Sequence, residues 1–475
     1  MALVSSESLH SRFITAVAAC AALGAPFAIE GCSGRTQQPA APVGGDGGSG
    51  ADPGFGTMGA GDASSGADSM RNEAGTRAPS PFDAALSRET ALPSEDAVAP
   101  ATSVSGAALG HCAAPLGASW LDAQAAYSKW KSDLLTSNGA RGFLRVDRPN
   151  SPGSIHTSNS EGIAYGMILA VAMNDQPTFD SLWKYEQLFL DGSGLMNWEI
   201  LPDGSGPTTQ GTGAATDADE DMAFALLWAD HRWGGRGSLA DAYRAVALKQ
   251  IALVWQSEVD HSRGEALKPG DQFPGGAAIL NISYFAPAYY RLFGVASGDQ
   301  TSWNKVVESS YAILAATLNA ANKNTTNGLL PAWSTPAGAP QAPNANLSTD
   351  HQLDSCRVPF RVGQDYCWYG EGRAKEYLAR ISTFYQQIGA RNIVDGYTLD
   401  GLPRPSHATV NQSAAFVGAA GVGAMSDPAF AMLRDQAYAG VATLKELDGS
   451  LYYTESWTAL SLVMMIGGFW NPAAP

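Results

Sequence analysis

The feature that most constrains the fold is a helical periodicity of apolar residues that recurs from Trp120 to the end of the chain. Apolar residues return at intervals of three and four, as at Tyr311, Leu314 and Leu318, and strand-like alternation is scarce. Gly, Pro, Asn and Asp fill the intervening segments. Residues 109–475 are therefore predicted to form an all-α domain, and a closed double ring of helices would accommodate a chain of this length.

The predicted helices occupy most of this domain. They cover residues 120–135, 161–173, 179–190, 217–231, 239–259, 283–293, 301–322, 365–387, 390–396, 410–423, 428–447 and 456–466. All 12 tryptophans lie at or beyond Trp120. Because large apolar side chains are the material of a core, the folded unit is expected there and not nearer the N-terminus.

The N-terminal region has the character of an export signal followed by a tether. Residues 13–29 form a nearly continuous apolar run that is short for a membrane span, so residues 1–31 are predicted to be a signal peptide. Gly31 precedes Cys32, which resembles a lipoprotein cleavage box; lipidation of Cys32 and ordinary cleavage with release both remain open. Residues 32–108 are rich in Gly, Ala, Pro, Ser and Asp and predict a disordered linker.

Charge and composition exclude some classes of partner. The formal net charge is -16 and no basic run stands out. Nucleic acid is not expected as a partner, because phosphate binding needs a cationic surface. A neutral or weakly charged substrate fits better, and the chain is expected to be a monomer that is either secreted or held at the bacterial cell surface as a lipoprotein.

The cysteines allow one disulfide in the folded domain. Of five cysteines, Cys20 lies in the predicted signal peptide and Cys32 is the candidate lipid anchor. Cys112, Cys356 and Cys367 remain, an odd number, so an exported protein would form one bridge and keep one thiol. Three pairings are open.

The first candidate site segment, residues 158–167, has Glu161 at the start of an apolar helical run. A structural role explains it well, because Ser158 and Glu161 have the spacing of a capping box. The functional interpretation is a carboxylic acid at a helix mouth beside Tyr165 and Met167. Apolar surroundings there would raise its pKa and keep it protonated for proton donation.

The second segment is acidic. Thr216 is predicted as a helix N-cap, and acidic residues in a first helical turn suit the helix dipole. However, Asp217, Asp219, Glu220 and Asp221 lie within five residues and repel one another. A calcium loop of the EF-hand type is excluded, because Met222 occupies the position that needs glycine. We expect Asp217 to face a cleft.

The third segment, residues 354–361, alternates acidic and basic residues around Pro359. Asp–Arg pairs could simply stabilise a loop before a helix. The functional interpretation makes Asp354 a base whose site is ordered by Arg357 and Arg361.

These segments together resemble glycoside hydrolase family 8. The matching segments, in the order of that family, are residues 160–167, 179–183, 195–198, 215–221, 281–287, 328–333 and 354–361. The resemblance covers residues 109–475. It implies an (α/α)6 barrel, with Glu161 as general acid and Asp354 as general base of an inverting endo-acting enzyme.

The resemblance also implies the remaining site residues. Asp217 would position the substrate at the point of cleavage, and Trp198, Tyr284 and Arg357 would surround the same sugar, with Tyr165 in the substrate-binding site. No metal or organic cofactor is expected. The substrate would be a β-1,4-linked polysaccharide, with β-glucan or cellulose favoured over xylan and chitosan, and a non-catalytic glycan-binding lipoprotein is the alternative from another class.

Three positions depart from the family pattern. Leu353 stands where Tyr is common, Phe360 where Trp is usual, and Phe273 near Asp271 where a tryptophan sugar platform is expected. These changes bear on the choice of substrate more than on the mechanism.

Overall fold

The computed structural model describes residues 109–473, apart from residues 152, 346, 405–411 and 445–450. The predicted signal peptide, Cys32 and the predicted linker lie outside the described residues. Helices dominate the described part. They are α1 (Trp120–Leu134), α2 (Ser160–Ala172), α3 (Gln176–Glu186), α4 (Thr216–Trp233), α5 (Tyr243–Ser257), α6 (Pro287–Ser297), α7 (Gln300–Thr317), α8 (Val358–Tyr369), α9 (Gly372–Ile388), α10 (Ala414–Ala424), α11 (Ala431–Thr443) and α12 (Leu451–Met465).

The helices form two concentric rings. The even-numbered helices α2, α4, α6, α8, α10 and α12 each contact the next, and α12 contacts α2, which closes an inner ring. The odd-numbered helices each pack outside an inner one: α3 on α2, α5 on α4, α7 on α6, α9 on α8, α11 on α10 and α1 on α12. This is an (α/α)6 barrel, as the family resemblance implies.

The amino-acid pattern explains which helix lies in which ring. All residues of α2 and of α10 are buried, as expected for helices that are surrounded on every side. In the outer helix α5 the buried residues are Tyr243, Ala247, Gln250, Ile251 and Val254, which recur at helical spacing on one face. None of the helices in the described ranges is both long and apolar enough to cross a membrane.

Short antiparallel strand pairs brace the loops between helices. The strands are β1 (Leu135–Thr136), β2 (Arg145–Val146), β3 (Ser158–Asn159), β4 (Glu199–Ile200), β5 (Val259–Asp260), β6 (Ala266–Leu267), β7 (Leu280–Asn281) and β8 (Trp333–Ser334), paired in sequence order. Strand β3 immediately precedes α2 and pairs with β4, which follows α3. Strand β7, which pairs with β8, immediately precedes a short 3₁₀ helix, Ile282–Tyr284. Both pairs therefore fix backbone segments next to the helices that carry the candidate site.

Two predicted helices are wrong. The predicted helix at residues 365–387 is two helices, α8 and α9, because Gly370 adopts a left-handed conformation with φ of 65° that ends α8. Glu371 then caps α9 by accepting a hydrogen bond from the Arg373 backbone N–H. The predicted helix at residues 390–396 is only a 3₁₀ turn, Ala390–Asn392.

The cysteine pairing is also resolved. Cys112 and Cys367 form a disulfide, which joins the segment before α1 to α8 across a sequence separation of 255 residues. Cys356 is a buried free thiol.

Candidate active site

Glu161 lies in the first turn of α2, at the end of the barrel. The predicted capping box is wrong: Asn159 is the N-cap, and its side chain accepts the Gly162 backbone N–H. Ser158 is buried and its hydroxyl donates to the Val146 backbone carbonyl. The carboxyl group of Glu161 is therefore not used in capping and is free to contact side chains from other helices.

The two carboxyl oxygens of Glu161 have different partners. Oε2 accepts a hydrogen bond from Nη1 of Arg357 at 2.6 Å, and Oε1 accepts one from the Tyr452 hydroxyl at 2.6 Å. Burial raises the pKa of Glu161 to about 7, an effect that Arg357 and Tyr452 oppose and that the nearby Asp217 carboxyl increases. The group is therefore poised between its acid and carboxylate forms at neutral pH.

Arg357 is the centre of the site. It ends the 3₁₀ turn Ser355–Arg357, which runs directly into α8 with Pro359 in the first helical turn. Its Nη1 also donates to Asp217 Oδ2 at 2.8 Å and to the Tyr165 hydroxyl at 3.2 Å, while Nη2 donates to Ser283 Oγ at 2.7 Å. Its guanidinium carbon lies 5.4 Å from the ring centroid of Tyr284. A single buried cation thus joins residues from α2, α4 and the 3₁₀ helix after β7.

Asp354 lies one turn before Arg357 and is also buried. Its Oδ2 accepts a hydrogen bond from the Gln352 side chain at 2.9 Å. Its Oδ1 is 3.6 Å from Nη2 of Arg357 and accepts no hydrogen bond from the described residues. Burial raises the pKa of this carboxyl, while Arg357, Gln352, Asn281 and Trp333 oppose the rise. One oxygen of Asp354 is thus held in place and the other is available to accept a proton.

The acidic run at the start of α4 is divided among several environments. The prediction that Thr216 is the N-cap is wrong, because Thr216 is the first helical residue. Ala215 occupies the cap position and makes no side-chain hydrogen bond there. Asp217 contacts Arg357, whereas Asp219 accepts a hydrogen bond from Gln250 on α5 at 3.0 Å. Because successive residues of a helix point in different directions, the carboxyls do not share one site.

The two remaining carboxyls of the run point elsewhere. Glu220 accepts a hydrogen bond from the Tyr290 hydroxyl at 2.9 Å. Asp221 forms a two-point ion pair with Arg361. Arg361, which the sequence interpretation expected to order the site together with Arg357, lies one helical turn beyond Arg357 and pairs with Asp221, one turn beyond Asp217.

A cleft opens beside these groups. Its lining residues are Asn159, Ser160, Glu161, Trp198, Ala215, Asp217 and Tyr284. Trp198 is half-buried, and its indole N–H donates to the Gln210 backbone carbonyl at 2.7 Å, so its ring is fixed at the rim. An aromatic face held in this way is suited to an apolar sugar face. The structure thus brings Glu161, Asp217, Trp198 and Tyr284 to one cleft, with Arg357, Asp354 and Tyr165 directly behind.

Most other aromatic residues near these segments pack in or against the core. Phe285 is buried in the hydrophobic core cluster, Trp368 is partly buried against it, and Trp233 packs edge-on against Phe179. Trp333 is buried outside that cluster, beside Asp354. Phe273, which replaces the expected tryptophan platform, stacks on Trp333 with ring centroids 6.0 Å apart and planes inclined by 16°.

The sequence interpretation missed three residues that complete the site. Tyr452 comes from α12, Ser283 from the 3₁₀ helix after β7, and Gln352 from the loop before Asp354. Ser283 and Gln352 lie within or next to matched segments and could have been singled out there. Tyr452 is 291 residues from its partner Glu161, and no local signal connects the two.

Within the described ranges, no group of three or more His, Cys, Asp or Glu side chains is arranged to hold a metal ion. The chemistry that the site offers is that of two carboxyl groups: one buried acid with a pKa near neutrality, and one buried carboxyl with a free oxygen. A buried acid and a second buried carboxyl beside a cleft lined by a fixed aromatic ring are the groups that a glycoside hydrolase uses.

The comparisons give the family. The model for glycosyl hydrolases family 8 matches residues 107–467, and the chain belongs to that family. Endoglucanase A of Acetivibrio thermocellus is 37% identical over 354 residues, which cover 74% of this chain and 70% of that protein. The apo structure of a β-1,3-1,4-glucanase from Paenibacillus sp. X4 superimposes with a TM-score of 0.68 at 25% identity, covering 78% of this chain and 97% of that one.

Relatives with another substrate also occur. The reducing-end xylose-releasing exo-oligoxylanase Rex8A of Paenibacillus barcinonensis is 29% identical over 258 residues, which cover 51% of this chain and 65% of that protein. The family and its glycosidic chemistry are therefore shown, and the polysaccharide is a separate question.

Proposed function

We propose that this enzyme is an endo-acting hydrolase of β-1,4-linked glucan that works by inversion, with Glu161 as general acid and Asp354 as general base. The observation that carries the proposal is the placement of both carboxyls around Arg357, with Glu161 in the lining of the cleft. Glu161 meets Nη1 and Asp354 approaches Nη2 of the same guanidinium. The glucan assignment is supported by the identity of 37% to Endoglucanase A over most of the chain.

The acid role follows from the chemistry of the glycosidic bond. The departing oxygen leaves poorly unless it is protonated, so the acid must hold a proton near neutral pH. Burial raises the pKa of Glu161 to about 7, which leaves a substantial protonated fraction there. As the bond between the anomeric carbon and the departing oxygen breaks, its electron pair goes to that oxygen, and Glu161 supplies the proton.

The base role falls to the carboxyl with an unoccupied acceptor. Gln352 holds Asp354 Oδ2, which leaves Oδ1 to take a proton from the attacking water. Inversion requires room for that water, with carboxyl groups roughly 6.5–9.5 Å apart, whereas retention would place them at roughly 5–5.5 Å. Asp217 donates no proton in this scheme; bound to Arg357, it lines the cleft and positions the sugar.

Stereochemistry tests this assignment directly. A β-linked glucan should release a product that is α at its new reducing end, which proton NMR in the first minutes of hydrolysis detects before mutarotation mixes the anomers. An initial β product would make Asp354 or Asp217 a nucleophile and overturn the assignment of Asp354 as base.

The substrate is tested with a panel of carboxymethylcellulose, lichenan, xylan and chitosan, with analysis of reducing ends and product lengths. We expect the glucans to be cut fastest and in mid-chain. Preferential release of short xylo-oligosaccharides would move the assignment toward the exo-oligoxylanase relatives, and cleavage of chitosan alone would point to a chitosanase. Binding without turnover on every polymer would support the glycan-binding alternative.

We also propose that the enzyme is exported and remains either secreted or attached to the cell surface through lipidated Cys32. The Cys112–Cys367 disulfide supports export, because disulfides persist in oxidising compartments. Mass spectrometry of the mature N-terminus separates the outcomes: a diacylglyceryl group on Cys32 supports anchoring, and a free N-terminus after residue 31 supports release. An intact N-terminus beginning at Met1 would contradict export.

A further inference from the structure

Tyr452 is a buried residue that the two-carboxylate mechanism does not use. It lies near the start of α12, and 1% of its surface is exposed. Its hydroxyl donates to Oε1 of Glu161 at 2.6 Å, while Arg357 occupies Oε2 at the same distance. The two oxygens of the acid are therefore held by two chemically different groups.

The position of the Tyr452 ring depends on the glycine that follows the acid. A Cβ atom at position 162 would come within 2.8 Å of Cε2 of Tyr452 and within 2.9 Å of Oδ1 of Asn159. Real Cβ atoms do not approach other atoms so closely. Gly162 thus makes room for the tyrosine ring beside α2, in addition to leaving the helix cap undisturbed.

Arg148 also packs against the Tyr452 ring. Its guanidinium carbon lies 5.9 Å from the centroid of the Tyr452 ring, and its Nη1 donates to Glu199 Oε1 at 2.6 Å. Both residues are buried. The phenol is thereby packed against α2 and a fixed ion pair, so that its hydroxyl remains directed at Glu161.

Arg357 and Tyr452 differ in what they can do with a proton. A guanidinium group only donates hydrogen bonds, whereas a phenol hydroxyl both donates and accepts. The oxygen facing the arginine is favoured as the negative end of the carboxyl group, because a positive donor stabilises charge. The proton of the acid form is therefore expected on Oε1, the oxygen shared with Tyr452.

We propose that Tyr452 is a positioning residue for the general acid, which fixes the carboxyl plane of Glu161 together with Arg357 and selects Oε1 as the oxygen that carries and delivers the proton. The inference rests on the proposed role of Glu161. During the reaction the proton passes from Oε1 to the departing glycosidic oxygen, which also takes the electron pair of the breaking bond. Oε1 is then a carboxylate oxygen, and the Tyr452 O–H donates to it.

The test is the pH profile of Tyr452→Phe on a soluble glucan. The hydrogen bond from Tyr452 lowers the pKa of Glu161. Its loss should move the alkaline limb of kcat/KM upward by about 0.5–1 pH unit, with kcat reduced about tenfold. The matched control is Tyr290→Phe, which also removes a buried phenol that donates to a buried carboxyl, Glu220, and should leave the limb unchanged.

A second variant keeps the native shape of the side chain. Fluorotyrosine incorporated at position 452 is a stronger donor of nearly the same size, so the alkaline limb should move downward. Opposite shifts for the phenylalanine and fluorotyrosine variants cannot come from loss of packing. An unchanged limb in both folded variants, as judged by circular dichroism, would overturn the inference.

The leaving group separates this inference from the proposed function. A dinitrophenyl cello-oligosaccharide needs little proton assistance, so Glu161→Gln and Tyr452→Phe should lose far less activity on it than on glucan. If Glu161→Gln loses equal activity on both substrates, Glu161 is not the acid and the proposed function fails, and the inference with it. If Glu161→Gln loses activity mainly on glucan, the substrate with the poor leaving group, and the alkaline limb of the Tyr452→Phe pH profile does not move, the inference alone fails.

Discussion

Helix α4 presents buried carboxyl groups to two neighbourhoods that differ in their positive charge. On one side lies the arginine cluster, which comprises Arg357, Arg361, Glu161, Asp217, Asp221 and Asp354. On the other lies the carboxyl cluster, which comprises Asp219, Glu186 at the end of α3, and Glu258 at the end of α5. All these side chains are buried, so differences between the clusters come from partners and not from access to water.

The arginine cluster repeats along two helices. Asp217 and Asp221 are four residues apart on α4, and Arg357 and Arg361 are four residues apart at the start of α8. Each guanidinium meets its carboxylate directly, and Arg361 also lies over the ring of Tyr289 at 5.5 Å. Burial raises the pKa of Asp217 and of Asp221, and their arginine partners oppose that rise.

The carboxyl cluster has only neutral donors. Asp219 is bonded by Gln250, Glu258 by Thr216 and Glu186 by Gln187, and each keeps one buried oxygen without a partner among the described residues. In the part of the chain that the structure describes, none of the three forms an ion pair with Lys or Arg. Burial raises the pKa of Glu186 and of Glu258 to about 8.

The comparison shows that burial alone does not make a carboxyl group useful to the enzyme. With arginines alongside, buried carboxyls can be ionised or poised at neutral pH and can face substrate. Without them, a buried carboxyl is most stable as a neutral acid. The carboxyl cluster is expected to hold protons at neutral pH and to affect stability more than turnover.

The largest effect should separate the clusters by activity. If they have the proposed acid and base roles, Glu161→Gln and Asp354→Asn should each reduce kcat by about 10²–10⁴-fold, because each would remove general acid or base assistance. Asp219→Asn, an isosteric change on α4 outside the cleft, should keep kcat within about threefold of the parent on the same reasoning. Initial rates on lichenan measure this, with far-UV circular dichroism to check the fold of each variant. A large loss of kcat in Asp219→Asn would contradict the functional difference between the two clusters.

The next effect concerns stability of the arginine cluster. Arg361→Met should lower the free energy of unfolding by about 3–5 kcal/mol, because it leaves Asp221 buried without its counter-charge. The double variant Arg361→Met with Asp221→Asn should recover at least about half of that loss, since removing both charges removes the mismatch. Urea unfolding curves measure these free energies. If the double variant regains no stability, Arg361 acts through packing and not through its charge.

The third effect is the pH dependence of the carboxyl cluster. Glu186 and Glu258 have folded-state pKa values of about 8 against 4.5 for the ordinary group. Below the ordinary pKa of glutamate, each carboxyl is protonated in both the folded and the unfolded chain, and its contribution to stability is fully present. As pH rises toward 8 the unfolded chain releases these protons and the folded chain keeps them, so each group should lower stability by up to about 1.4 kcal/mol per pH unit.

Thermal unfolding between pH 5 and pH 8 measures this slope. Glu186→Gln and Glu258→Gln should each make it shallower. The control is Glu371→Gln, because the ion pairs of Glu371 lower its pKa to about 2 and the group is ionised in both states across this range. A slope unchanged in both cluster variants would show that these carboxyls are not protonated in the folded protein.

The same two clusters show what the sequence could reveal. The order of helices and the barrel followed from periodicity and from the family pattern, and the segments with Glu161, Asp217 and Asp354 were identifiable by type and spacing. Partners were not. Ser158 and Glu161 have capping-box spacing, yet Asn159 caps α2 and Glu161 contacts Arg357 and Tyr452 instead.

Failures of this kind have a common physical origin. Which side chain meets Arg361, Gln250 or Tyr452 depends on how helices far apart in sequence are rotated against each other, and a local pattern does not encode that rotation. The break between α8 and α9 is different, because Gly370 was visible in the sequence. The apolar periodicity continued across it, and only its left-handed conformation shows that the helix ends there.

The smallest effect should come from salt, and it tests whether both clusters are sealed from solvent. Raising NaCl from about 0.05 M to about 0.5 M shortens the electrostatic screening length in water to a few ångströms. Dissolved ions screen buried ion pairs much less than exposed ones. The loss caused by Arg361→Met should therefore change by less than about 0.5 kcal/mol. The matched surface change is Glu308→Gln, which removes the ion pair of Glu308 with Arg373; these side chains are 65% and 40% exposed. That pair should contribute under about 1 kcal/mol, and the contribution should shrink further with salt. Urea unfolding at both salt concentrations gives the comparison. Salt could instead reduce the stability loss of Arg361→Met as steeply as that of the surface variant. Water and ions would then reach Asp221, and the two clusters could no longer be compared as equally buried groups that differ only in their partners.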